Sequence, residues 1–166
     1  MNRAAGAAVA FMLGVLAAPV AAQDAGIAVG TRAPDVTVKD LDGQPVPLGQ
    51  YLGKKPVLLE FWATWCEVCE ELLPAVRKAH AQYGDRVEFF GVNVTINQTP
   101  DRVRRYLDQH HPPFRTLYDD EGVSTRAYLA PTTSYIVVVD AAGRVAYTGT
   151  GAAQDLEGVL RHVVAR

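Results

Sequence analysis

The 166-residue chain holds only two cysteines, Cys66 and Cys69, which excludes a scaffold stapled by several disulfides. A tetrahedral zinc site would need two further ligands from His80, His110, His111 or His162, and none of these sits in a recognisable ligand pair. His110-His111-Pro112-Pro113 reads as a solvated helix end, so no metal site is expected. An excess of one charge is also lacking: 16 Lys and Arg stand against 18 Asp and Glu, a formal net charge of −2. With no basic stripe to meet a phosphate backbone, nucleic acid is not an expected partner. Long apolar runs are confined to the first 22 residues, and what remains has the composition of one soluble domain of middling size.

The beginning, "MNRAAGAAVAFMLGVLAAPVAAQ", places Arg3 before an uncharged run and ends on small residues at the A-x-A positions. Residues 1–22 are therefore expected to be a signal peptide cleaved after Ala22. The alternative is an uncleaved anchor, because residues 4–22 are just long enough to span a bilayer, and only then would the membrane be a partner. No cysteine follows the run, which excludes a bacterial lipid anchor. Either reading puts the domain in the periplasm or another extracytoplasmic space, where disulfides persist.

Residues 23–29 read as a linker and 30–166 as the folded domain. In "DVTVKDLDGQPVPLGQYLGKKP" the pattern gives a short alternating strand, an Asp42-Gly43 turn and a Pro/Gly-rich connection. "VLLEFWA" is a short run of β-formers whose one polar member is Glu60, as in a strand covered on both faces. Val68, Leu72, Val76 and Ala79 then recur at helical spacing to about Tyr83, before Gly84. "VEFFGVNV" is a second buried strand, and Thr99 and Pro100 open a helix with Val103, Tyr106 and Leu107 on its apolar face. A short helical piece near Val123 to Tyr128 precedes a hairpin in "APTTSYIVVVDAAGRVAYTG". Leu156, Val159, Leu160 and Val163 mark a closing amphipathic helix. The expected order is β-α-β-α followed by β-β-α.

"PVLLEFWATWCEVC", the proline-bearing helix, "APTTSYIVVVDAAGR" and the final helix together resemble the secreted TlpA/ResA-like thiol-disulfide oxidoreductases of thioredoxin fold. The likeness runs from about Gly30 to Val164, and the "FWATWCxxC" string at a strand-to-helix junction is its most specific part. It implies an α/β fold with a central mixed sheet flanked by helices and a short N-terminal β extension. It also implies a redox-active Cys66–Cys69 disulfide as the only cofactor, a protein disulfide or thiol client, and a membrane electron donor of DsbD or CcdA type. Cytochrome c maturation and reduction of copper-site cysteines are among the roles it implies.

With Cys66 at the N-cap and Cys69 in the first turn, the two side chains share a face, and the positive helix end favours a Cys66 thiolate. Cys66 would attack and Cys69 would resolve. A buried apolar cysteine pair and half of a metal site are the competing readings of the same two residues. Glu67, Glu70 and Glu71 favour the helix dipole yet oppose the thiolate, which makes the pair a better reductant. Glu60, buried without an evident partner, should have a raised pKa and suits proton exchange with Cys69; thioredoxins carry an aspartate at the matching position.

Two departures from the ResA-like pattern stand out. Val68 replaces the usual proline before the second cysteine, and Leu72 replaces an acid three residues after it, which suggests that Glu60 has taken over the acid's role. Pro74 matches the family's helix proline. The resemblance also places Ala130-Pro131 at the family's cis-proline site, with Ala130, Pro131 and Thr132 presenting backbone to an extended client. Trp65, beside Cys66, is the expected client contact among the tryptophans.

Two other functions compete with a disulfide reductase. A peroxiredoxin-like peroxidase would use Thr64, two residues before Cys66, but this chain lacks the proline-rich peroxidatic loop of such enzymes and has a tight CxxC instead. A copper-binding chaperone of similar fold would use both thiolates and a histidine, yet such proteins tend to space their cysteines one residue wider.

Overall fold

The structure, a computed structural model, describes residues 26–165. The leader expected in residues 1–22 lies outside the described residues. Within them, strands β1 (Thr37–Lys39) and β2 (Pro45–Pro47) form a small antiparallel pair. Strand β3 (Val57–Trp62) leads into helix α1 (Glu67–Tyr83), β4 (Glu88–Val94) into α2 (Pro100–His110), and β5 (Arg115–Asp119) into α3 (Val123–Ala127). Strands β6 (Tyr135–Val139) and β7 (Val145–Gly149) form the hairpin, and α4 (Leu156–Val164) closes the chain.

The seven strands make one sheet in the order β2-β1-β5-β4-β3-β6-β7. β3, β4 and β5 run parallel, while β6, β7 and β1 are antiparallel to their neighbours. β3 is central and fully buried, which explains its nearly unbroken apolar sequence. Its side chains alternate between two cores. Val57, Leu59 and Phe61 face a core with Tyr128, Tyr135 and the N-terminal segment. Leu58 faces Leu72, Val76 and Ala79 of α1 and Leu156 and Leu160 of α4. Packing extends ahead of Gly30: Ile27 is buried and its N–H donates to the Tyr135 hydroxyl at 3.0 Å.

Strand β5 goes beyond the expected order. It is short, and its sequence "RTLYD" offers only Leu117 and Asp119 as buried positions. Asp119 reads as polar loop because its carboxylate works locally: it accepts from Ser124 N–H at 3.2 Å and from Thr125 N–H at 2.8 Å, satisfying first-turn amides of α3, whose N-cap is Gly122. Thr99 caps α2 by accepting from Arg102 N–H at 3.2 Å, with Pro100 as first helical residue, as the sequence predicts. α1 continues through Pro74, which forfeits one backbone donor. Among the described residues no helix is long and apolar enough to cross a membrane.

Candidate active site

The end of β3 delivers the site. Trp62 is the last strand residue, Ala63 to Trp65 form a turn closed by Cys66 N–H donating to the Ala63 carbonyl at 3.1 Å, and Cys66 is the N-cap of α1. Its φ and ψ of −89° and 94° are extended, so its side chain turns back over the first helical turn. Cys66 and Cys69 are joined in a disulfide with Cα atoms 5.2 Å apart. Sγ of Cys66 accepts the Cys69 N–H at 3.1 Å, an amide of the first helical turn that it shares with the Cys66 carbonyl at 3.0 Å. Exposure does not separate the two residues, at 5% and 4%, so the helix terminus alone distinguishes Cys66.

Around the pair, the sequence expectations divide. Glu67, Glu70 and Glu71 are exposed on the first turns of α1, and Val68 is exposed between the cysteines. Trp62 is buried, with its ring 5.0 Å from Tyr106 and 5.6 Å from Phe114, whereas Trp65 is 43% exposed beside Cys66. Trp62 and Ala63 at the end of β3 and Val103 and Tyr106 of α2 pack in one buried cluster with the two cysteines.

Glu60 is buried in the middle of β3, on the same face as Leu58 and Trp62. Its Oε2 has no hydrogen-bond partner, and burial pushes its carboxyl up to about 8. Its neighbour in register on β4 is Gly91, where a Cβ would run into the Phe114 ring. The bare glycine thus lets Phe114 lie against the sheet beside Glu60 and keep water away. Tyr106 is held up at about 12 by burial, with the charges of Glu70 and Glu60 adding to the shift.

The segment Ala130 to Thr132 differs from expectation. No cis peptide bond occurs among the described residues, so Ala130-Pro131 is trans. Trans is the favoured form of an X-Pro bond, and Leu129 just before it, at φ 50°, is the left-handed residue that ends α3. Leu129 N–H donates to Arg126 and Ala130 N–H to Thr125, the paired bonds of a Schellman end. Pro131 follows as the helix stop, and Pro131 and Thr132 are exposed. Because Phe61 pairs with Tyr135, the residue that reaches the end of β3 is Ser134, buried and at φ 59°. Nothing in its sequence marks that position, since serine rarely takes a left-handed backbone.

Sequence reasoning also missed the loop after β4. Gln98, buried in that loop, bonds both to the turn before Cys66 and to Asn93, a buried polar residue near the end of β4. They carry no periodic signal and lie about thirty residues from what they touch. Among the described residues, no third histidine, cysteine or carboxylate joins Cys66 and Cys69 in a metal-binding group.

The Redoxin family model matches residues 28–161. The thiol-disulfide oxidoreductase ResA of Geobacillus thermodenitrificans is 30% identical over 140 residues, covering 82% of this chain and 79% of that protein. The thioredoxin-like protein YneN of Bacillus subtilis is 37% identical over 103 residues, which span 61% of this chain and 60% of YneN. Among solved structures, the thioredoxin domain of a thiol-disulfide oxidoreductase from Bacteroides vulgatus superposes with a TM-score of 0.72 at 23% identity, covering 83% of this chain and 99% of that one. A secreted Mycobacterium tuberculosis disulfide oxidoreductase gives 0.67 at 24% identity, with 77% and 96% covered. The chain belongs to the Redoxin family, among its ResA-like thiol-disulfide oxidoreductases of thioredoxin fold.

Proposed function

We propose that this protein is an extracytoplasmic disulfide reductase in which Cys66 attacks and Cys69 resolves. The seat of Cys66 at the N-cap of α1, with the Cys69 amide on its sulfur, carries the reading. The Cys66 thiolate attacks one sulfur of a client disulfide, forming a Cys66–client bond and releasing one client thiolate. Cys69 then loses its proton to the Glu60 carboxylate and attacks Sγ of Cys66. The second client thiolate leaves, and two electrons have passed from the dithiol to the client.

The direction is reducing because Glu67, Glu70 and Glu71 surround the start of α1 and oppose the thiolate, destabilising the reduced form. Val68 belongs to the same tuning set by standing in place of a rigid proline. Trp65, Val68 and Ile96 are exposed large hydrophobic residues of the Cys66 turn, α1 and the adjoining loop, and they offer apolar contact to an extended client. Ala130, Pro131 and Thr132 border it on the side of β6. The dithiol is restored by a membrane donor of DsbD or CcdA type, and the clients are cysteines of cytochrome c maturation or of copper sites. Residues 1–22 act as the leader that exports the domain, or residues 4–22 as its anchor, with 30–166 as the catalytic domain.

A redox titration paired with an insulin-reduction assay and an anaerobic Cu(I) titration tests this. A two-electron couple more reducing than glutathione, with insulin turnover, is expected. Stoichiometric Cu(I) binding without turnover would support the chaperone reading instead.

A further inference from the structure

One short loop holds the turn from which Cys66 hangs. Gln98, 9% exposed, accepts with Oε1 from Thr64 N–H at 3.0 Å and from Asn93 Nδ2 at 3.2 Å. Its own Nε2 donates to the Asn97 carbonyl at 2.8 Å, so the amide cannot flip without losing both accepted bonds. Two further bonds run from the same loop and its helix to the same turn. Trp65 Nε1 donates to the Ile96 carbonyl at 2.8 Å, and Arg102 Nε donates to Thr64 Oγ1 at 2.9 Å. Gln98 is the buried member of this set, and the only one that grips the main chain of the turn through a side-chain acceptor.

We infer that Gln98 is a positioning residue for thiol-disulfide exchange, fixing the Ala63-Thr64 peptide so that Cys66 keeps its attacking geometry once the disulfide has opened. The inference rests on Cys66 acting as the attacking thiol. In the oxidised protein the bond to Cys69 ties Cys66 to α1. Reduction removes that tie from the Cys66 side chain, and the turn is then held by its packing and its hydrogen bonds, that of Gln98 among them. Attack on a disulfide needs the thiolate aligned with the sulfur–sulfur axis, and small displacements of a reacting group are costly in rate. Gln98 therefore acts on the reaction of the reduced protein through the backbone, without touching client or sulfur.

The test uses the full chain carrying Cys69→Ser, so that Cys66 is the only thiol. Its second-order reaction with 5,5′-dithiobis(2-nitrobenzoate) is followed across pH, which separates the thiol pKa from the plateau rate of the fully ionised thiolate. Gln98→Leu should lower the plateau about tenfold. Gln98→Glu keeps an oxygen acceptor for Thr64 and Asn93 but sets its second oxygen against the Asn97 carbonyl, so its plateau should lie between those of Gln98→Leu and the parent while its added charge raises the pKa. A residue that merely supports the fold would lower melting temperature without separating these two quantities. A parent-like plateau in Gln98→Leu, or a plateau in Gln98→Glu as low as in Gln98→Leu, would overturn the inference. If Gln98→Leu fails to fold, Gln98→Asn, one methylene shorter, carries the same expectation and the same refutation. An error in assigning the attacking thiol shows separately, as faster reaction of a Cys66→Ser protein than of the Cys69→Ser parent.

Discussion

Glu60 is a carboxyl group in a strand whose other side chains are all apolar, and its environment sets both a cost and a use. Its pKa rises from 4.5 to about 8 because burial disfavours the charged form. The folded protein then binds a proton that the unfolded chain has released, so stability falls as pH climbs from 4.5 to about 8 and levels off above it. The slope approaches about 1.4 kcal/mol per pH unit. Glu60→Gln keeps shape and hydrogen-bonding capacity, so denaturation measured at several pH values should give a flat profile through this window and a more stable protein at pH 8. In function the same group accepts a proton only when ionised. Resolution of the mixed disulfide should therefore quicken with pH through about 8 in the wild type. Glu60→Gln should slow it by about 10²-fold, measured by rapid mixing. Wild-type resolution in Glu60→Gln would make Glu60 a structural residue. Its burial was legible because one acid interrupts "VLLEFWA"; the Phe114 ring beside Gly91 was not, since it enters from another segment.

At the scale of elements, α1 carries the conflict that tunes the site. Exposed acids in its first turns stabilise the helix by about 0.3–1 kcal/mol each through the dipole. The same charges oppose the thiolate held at the same terminus. Replacing Glu67, Glu70 and Glu71 together by Gln should lower the Cys66 pKa and make the couple more oxidising, with an effect that shrinks as salt is added. A redox titration at low and high ionic strength checks it, and an unchanged potential at low salt would show that solvent already screens the three charges. Most elements could be read in advance because their signals are local: Thr99 and Pro100 start α2, and apolar spacing outlines α1 and α4. β5 escaped because its two buried residues give too short a pattern. At the loop before β6 only the trans Ala130-Pro131 bond departs from the resemblance, and the stop of α3 that Pro131 forms there depends on the left-handed Leu129, which no local sequence signal marks.

At the scale of the whole molecule, one sheet brings together parts that are distant in sequence. β3 supplies Glu60 and leads into the turn, the start of α1 holds the two cysteines, β4 supplies Asn93 and the loop after it Gln98, and Ser134 stands just before β6. The cysteine pair and its flanking string were legible because they are contiguous. The loop that holds them was not, because side-chain bonds across about thirty residues leave no periodic mark. The central claim, a dithiol in which Cys66 attacks and Cys69 resolves, is tested most directly by trapping. Cys69→Ser and Cys66→Ser proteins are each reduced, mixed with a disulfide-bearing client and resolved by non-reducing electrophoresis with mass mapping. A client bonded to Cys66 should accumulate in Cys69→Ser and be nearly absent in Cys66→Ser. Equal trapping by both variants, or accumulation through Cys69 alone, would contradict it.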